Sequence, residues 1–187
     1  MRRTPMITLV AAAVLAARLS AQQPAAPAPA APPADSADVA TLEGIVHAVY
    51  DVISGDSGQA RNWDRMRSLF APGARLIPTF RRRDGSGYAI RPLSVDEYIQ
   101  AASPAFARQG FYEREVARRS ETFGQMVHLF STYESRHRPG DPQPFERGIN
   151  SFQLYNDGHR WWIVTIFWQG ESQGAPIPER YLVSENH

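Results

Sequence analysis

The sequence predicts an α+β domain, with helices set apart from a mostly antiparallel sheet. Three observations carry this. Apolar residues recur at three- and four-residue spacing in the first part of the chain. Four long strand-like runs fill residues 111–170. Clusters of Gly, Pro, Asn and Asp punctuate both regions as turns.

Residues 38–54 read as the first helix, because Leu42, Ile45, Val46, Val49, Val52 and Ile53 share one face and Gly55 follows as a stop. Residues 59–70 read as the second, with Trp63, Met66 and Phe70 buried and Arg61, Asp64, Arg65 and Arg67 facing out. Pro72-Gly73 ends it. A strand over 74–80, a turn through RRRDGSG and a return strand over 88–91 come next. Ser94 and Glu97 form a capping box that opens a third helix through about 102, with a continuation past Pro104 to 109. Four strands then follow as a meander, turning at Phe123-Gly124, at 137–144 and at Asn156-Asp157-Gly158.

The chain ends constrain the setting. Arg2 and Arg3 precede an apolar run over 6–17, and Ser20-Ala21 offers a cleavage point after Ala21. We therefore expect a signal peptide over 1–21, a Pro/Ala-rich disordered linker over 22–37, and a folded domain over 38–187 in a secreted or periplasmic protein. The run is too short to remain as a membrane span. Cleavage leaves 17 arginines against 19 acidic residues, so no basic footprint for nucleic acid remains. The chain contains neither lysine nor cysteine, which removes Schiff-base chemistry, thiol nucleophiles, thiolate metal sites and disulfides. The five histidines are scattered, and no two share a ligand spacing, so neither a metal nor a cofactor is expected.

The stretch NWDRMRSLFAPGARLIP (62–78) resembles the second helix and first strand of the nuclear transport factor 2-like superfamily, and DGHRWWIV (157–164) resembles its last hairpin. That group includes SnoaL-like polyketide cyclases, ketosteroid isomerases and scytalone dehydratases. The resemblance spans about residues 38–170. It implies a cone-shaped, strongly curved sheet wrapped around three helices, a conical pocket for a small apolar or aromatic molecule, and a homodimer through the outer sheet face. It transfers no reaction, because one fold hosts many activities. Ketosteroid isomerases carry a general-base aspartate where Pro78 stands here, and proline takes no proton.

Alternation places Trp161, Ile163, Thr165 and Phe167 on one face of the last strand and Trp162, Val164, Ile166 and Trp168 on the other. Aligning Trp161 and Ile163 with the family's inward pair leaves the second set outward, as an apolar patch in want of a cover. We expect a second subunit there; the alternative is the C-terminal tail, folding back through Ile177, Tyr181, Leu182 and Val183.

His128 is the first candidate for proton transfer, with Glu113 and Glu115 able to orient it from the neighbouring strand. Read otherwise, it is a core histidine and the acids are a solvated strand face. Tyr133 is a candidate polarising donor, and Glu115 or Glu134 a relay acid. Asn150 and Ser151 alternate, so one of them should face the pocket and contact a ligand. Trp63 and Tyr98 are further ligand-contact candidates, or simply core. Arg81-Arg82-Arg83 reads as a solvated hairpin tip, or as a clamp for an anion at the cone's mouth. A non-enzymatic association module is the competing reading of the whole domain.

Overall fold

The computed structural model describes residues 32–184. The expected leader, and the linker up to residue 31, lie outside the described residues. A short helix α1 (Ser36–Val39) precedes α2 (Leu42–Ile53), α3 (Trp63–Leu69), β1 (Phe70–Arg81), β2 (Tyr88–Ile90), α4 (Val95–Arg108), β3 (Tyr112–Phe123), β4 (Met126–Arg136), β5 (Glu146–Asn156) and β6 (Trp161–Gly170). The strands form one open, curved sheet in the order β2-β1-β6-β5-β4-β3. All pairs are antiparallel except β1 with β6.

The first expected helix is two. Asp35 caps α1 and Thr41 caps α2, each accepting a backbone amide at 2.9 Å, so the chain re-enters the helix at Thr41. The last residues of the expected linker thus belong to the fold. Asp38 of α1 accepts a two-pronged bond from Arg65 at 2.8 and 2.9 Å, which tethers α1 to α3. The capping box of α4 forms as the sequence indicates, and the helix runs through Pro104. One expectation fails here. Arg61 does not face out; it is 8% exposed and donates to the carbonyls of Ile53, Gly55, Asp56 and Gln59.

β1 begins earlier than its apolar run. Phe70 pairs with Ile163 and Arg75 with Thr165, and the intervening Pro72-Gly73 bulges out of the ladder. Two further bulges decide which side chains face inward. Glu115 pairs with Tyr133 and Ala117 with Thr132, leaving Val116 extra; Leu154 pairs with Ile163 and Gln153 with Thr165, leaving Val164 extra. Each inserted residue reverses the alternation beyond it.

The second bulge corrects the expected outward set. Trp162 and Val164 do face outward, but Ile166 and Trp168 turn inward and line the interior. Trp162 is covered by its own hairpin: the Arg160 guanidinium lies 3.6 Å from its ring centroid, and its indole N–H donates to Asp157 at 2.7 Å. The tail alternative holds over the middle of the outer face. Tyr181 stacks beside Phe130 and its carbonyl accepts from Thr132, while Ile177 lies near Phe167 and Ile149. Leu182 and Val183 stay exposed.

The core lies between the inner sheet face and the helices. From α2 it takes Ile45, Val46, Val49 and Val52, from α3 Met66 and Leu69, and from α4 Ile99 and Phe106. Val127, Leu129, Phe152, Leu154 and Ile163 meet them from the sheet. No helix among the described residues is long and apolar enough to cross a membrane.

Candidate functional site

The inner face of the sheet carries a polar line across an apolar core. The register Glu113 with Ser135 and Glu115 with Tyr133 turns both glutamates inward, at the end of the sheet where α2 crosses β3. Ser54 at the end of α2 accepts the Glu113 amide at 3.0 Å and fixes that strand end. On β4, Ser131, Tyr133 and Ser135 alternate inward; on β5, Asn150 does the same.

These groups form a connected chain of hydrogen bonds. Arg118 grips Glu115 at 2.8 and 2.6 Å, and Ser131 donates its hydroxyl to Glu115 at 2.6 Å. With that proton committed, Tyr50 must be the donor in its 2.7 Å contact with Ser131. The Tyr50 oxygen then accepts from the Asn150 amide at 3.0 Å, and the same amide nitrogen lies 3.5 Å from Glu113. Ser135 donates to the other Glu113 oxygen at 2.8 Å. The Glu115 carboxylate therefore sets the direction of the Ser131–Tyr50 bond.

Glu113 sits at the wall of a cavity of about 120 Å³. Tyr133, Phe152, Ile166 and Trp168 line it from the sheet, and Val49, Tyr50, Ile53, Met66 and Tyr98 from the helices, with Phe111. Tyr98 meets Trp168 edge to face at 6.2 Å. Tyr133 fits because its cross-strand partner is Gly148, where a Cβ would stand 2.5 Å from the tyrosine oxygen. Among the described residues, no protein group bonds the hydroxyl of Tyr98 or Tyr133.

Burial pushes the Glu113 carboxyl up to about 7, against the pull of its bonds from Ser135 and Asn150. Burial, and then the neighbouring Glu113 charge, raise Tyr98 and Tyr133. Glu113 and Tyr50 also border a polar groove of about 750 Å³ between α2 and β3, flanked by His47, Arg114 and Arg136. Part of the Glu113 side chain is thus open to these spaces, although its carboxyl lies within the protein envelope.

The sequence candidates divide between the two faces of the sheet. Tyr133, Asn150 and Tyr98 meet in the cavity. Glu115 is inward but committed to Arg118 and Ser131, and it borders the α2–β3 groove, not the cavity. Glu134 turns away from the cavity and lies between Arg114 and Arg136. Burial alone would raise its carboxyl, but the bonds from those two guanidiniums outweigh it and hold the group below the usual range, which ill suits a relay acid. Trp63 stacks on Phe106 away from the cavity, as core.

His128 and Ser151 are both on the outer face, bonded to each other at 3.0 Å. Glu121 approaches the other ring nitrogen at 3.8 Å, completing an order of hydroxyl, imidazole and carboxylate. That carboxylate is 88% exposed, and Ser151 sits in a strand paired on both sides, whose amides are spent in the ladder. The arginine run is equally remote from the cavity, at the tip of the β1–β2 hairpin.

Sequence reasoning missed Glu113 as the central group, and Tyr50 altogether. A signal for Glu113 existed: Glu113 and Glu115 share one strand face next to Phe111, so an inward face would bury both. Tyr50 follows Val46 and Val49 on the buried side of α2.

No family model matches the chain, and no curated protein matches it. Solved structures do resemble it. A nuclear transport factor 2-like protein of unknown function from Silicibacter pomeroyi is 15% identical, at TM-score 0.48 over 70% of this chain and 93% of that one. A candidate calcium/calmodulin-dependent protein kinase type II association domain from Thiobacillus denitrificans is 13% identical, at TM-score 0.48 over 69% and 94%. A candidate ketosteroid isomerase from Kribbella flavida is 15% identical, at TM-score 0.40 over 82% and 94%. Each is a likeness of fold.

Proposed function

We propose that this chain is an exported nuclear transport factor 2-like domain whose interior receives a small apolar or aromatic molecule, with Glu113 as the group that takes or gives a proton. One observation carries the reading: a carboxyl that burial pushes up to about 7 stands at the wall of an apolar cavity, beside two tyrosine hydroxyls without a hydrogen-bond partner among the described residues. A group poised near neutral pH serves as acid or base equally well. Tyr98 and Tyr133 stay protonated, and so can donate to a polarised oxygen. This set supports cofactor-free acid–base chemistry of the lyase, isomerase or cyclase kind. The α2–β3 groove is the access route, since Tyr50 and Glu113 border both spaces.

The cavity's size limits the buried part of the ligand to about one ring, since an apolar cavity of about 150 Å³ accepts benzene. Benzene is therefore a suitable probe. Titrated into the protein, it is expected to shift the Trp168 indole resonance saturably. Val49→Phe, which fills the lining, should abolish that shift, whereas His128→Ala should leave it unchanged. Shifts confined to the outer face, or an equal response in Val49→Phe, would overturn the proposal.

A second reading, association through the outer face, has its own observation. Phe123, Met126 and Tyr155 stand in register across three strands of the outer face, and Phe123 is 82% exposed. A second copy is the expected cover, giving a two-fold dimer. Sedimentation should then show a dimer that Phe123→Ser with Met126→Ser converts to monomer; a wild-type monomer would dismiss it.

A further inference from the structure

Two hollows meet on the outer face of the sheet, and one hydrogen bond joins them. The first, of about 270 Å³, lies between β5, β6 and the tail, with Ile149, Phe167, Ile177 and Pro178 in its walls; no charged side chain lines it. Ser151 stands in that hollow. The second is polar and holds His128, bordered by Arg119, Glu121 and Arg180. Phe130 is common to both.

The joining bond runs from Ser151 Oγ to His128 Nε2 at 3.0 Å, and the His128 side chain is 32% exposed, open to a substrate. Phe130 meets the imidazole edge to face at 5.1 Å and holds its plane. Glu121, the partner of His128 in the β3–β4 ladder, lies 3.8 Å from Nδ1. The Glu121 charge favours the tautomer with its proton on Nδ1, which leaves Nε2 to take one from Ser151. The strand amides are spent, so an oxyanion needs a side-chain donor. The register supplies one. Ser151 pairs with Phe167 and Ile149 with Gln169, so Gln169 shares the face and the hollow of Ser151, diagonally across the strands. Such diagonal neighbours lie about 7 Å apart, within reach of a long side chain. The Gln169 side-chain amide has no hydrogen-bond partner among the described residues.

We propose that Ser151 and His128 hydrolyse esters of small apolar carboxylic acids, a second activity that goes beyond the interior cavity and does not depend on it. The acyl group lies in the uncharged hollow, and the alcohol part lies toward His128. Ser151 Oγ attacks the carbonyl carbon as its proton passes to His128 Nε2. The Gln169 amide donates to the oxyanion. Collapse breaks the ester C–O bond, and His128 gives the proton to the departing alcohol. Water then repeats the sequence at the acyl carbon, releasing the acid and restoring Ser151. Since an apolar cavity of about 150 Å³ accepts benzene, the hollow limits the acyl group to on the order of ten carbons.

The test is hydrolysis of p-nitrophenyl butyrate by the protein as its host processes it. Saturable release of p-nitrophenolate is expected. Ser151→Ala and His128→Ala should each lower kcat on the order of a hundredfold or more, and Gln169→Leu on the order of a hundredfold. Glu121→Gln should lower kcat severalfold at unchanged KM, a split that a merely structural role would not give. Circular dichroism would verify that each variant is folded. Wild-type protein quenched in acid needs no variant: peptide mass spectrometry should find the butyryl group on Ser151. Turnover that survives in Ser151→Ala, or butyryl groups on other side chains and none on Ser151, would overturn the proposal. No release above the buffer rate from acetyl, butyryl and octanoyl esters would do the same.

Discussion

Replacing Glu113 by glutamine is expected to stabilise the protein above pH 7 by roughly 3 kcal/mol and to change little below pH 4.5. The sign follows from the direction of the shift. Folding raises this carboxyl from 4.5 to about 7, so between those values the folded state holds a proton that the unfolded state has released. Stability is fully present below 4.5, falls as pH rises, and is lost once pH passes 7. Glutamine cannot ionise and escapes that loss. Its carbonyl can still accept from Ser135, and the only contact forfeited is the long one to Asn150 at 3.5 Å. Any turnover that passes a proton through Glu113 should fall on the order of a hundredfold or more in the same variant. Urea unfolding on either side of the window checks the first effect. Equal stability of the two proteins at high pH would show that the wild-type carboxyl ionises without cost.

Arg61→Ala is expected to cost about 3–4 kcal/mol, read as a lower urea midpoint at unchanged slope. The guanidinium donates to four carbonyls: Ile53 at 2.9 Å, Gly55 at 2.7 Å, Gln59 at 2.7 Å and Asp56 at 3.2 Å. It also lies over the Phe106 ring at 5.3 Å. Ile53 is the last residue of α2, so one of these bonds satisfies a carbonyl left open by the helix end. Arg61→Lys should rescue little, because a single ammonium cannot reach in three directions. The effect extends to the site. The loop that Arg61 holds carries Gly55, bridged to Phe111 of the cavity wall, and follows Ser54, which fixes Glu113. A cost below about 1 kcal/mol would mean that water replaces the guanidinium readily.

These residues show how far the sequence could be read. The order of the strands and of the three larger helices, the capping box at Ser94 and the Asn156-Asp157-Gly158 turn were legible, because each is decided by neighbours in the chain. Facing was not. A strand's period of two names two sets of side chains, and a single inserted residue exchanges them. Val164 does this in β6, which turned Ile166 and Trp168 from an expected outer patch into cavity lining. Val116 does it in β3. A valine in a bulge looks like any other strand valine, so the sequence carried no mark of either. His128 as a pocket base, and the choice between Asn150 and Ser151 for the inward position, stayed open for the related reason that register is set by the pairing of distant strands.

Arg61 was misread on polarity. A helix-flanking arginine is ordinarily solvated, and only the return of the chain through Gly55 supplies the carbonyls that bury this one. Among the site residues, Tyr133, Asn150 and Tyr98 were found by type and spacing. Glu113 was seen only as a partner for His128, since its altered acidity depends on the desolvation that packing creates.

The central claim is that folding places the Glu113 carboxyl in an apolar interior where its charged form is disfavoured. A carbon-detected NMR titration of the Glu113 side-chain carboxyl tests it most directly. The midpoint should lie at about 7 and should be unaffected by His128→Ala. A midpoint near the ordinary 4.5 would contradict the account.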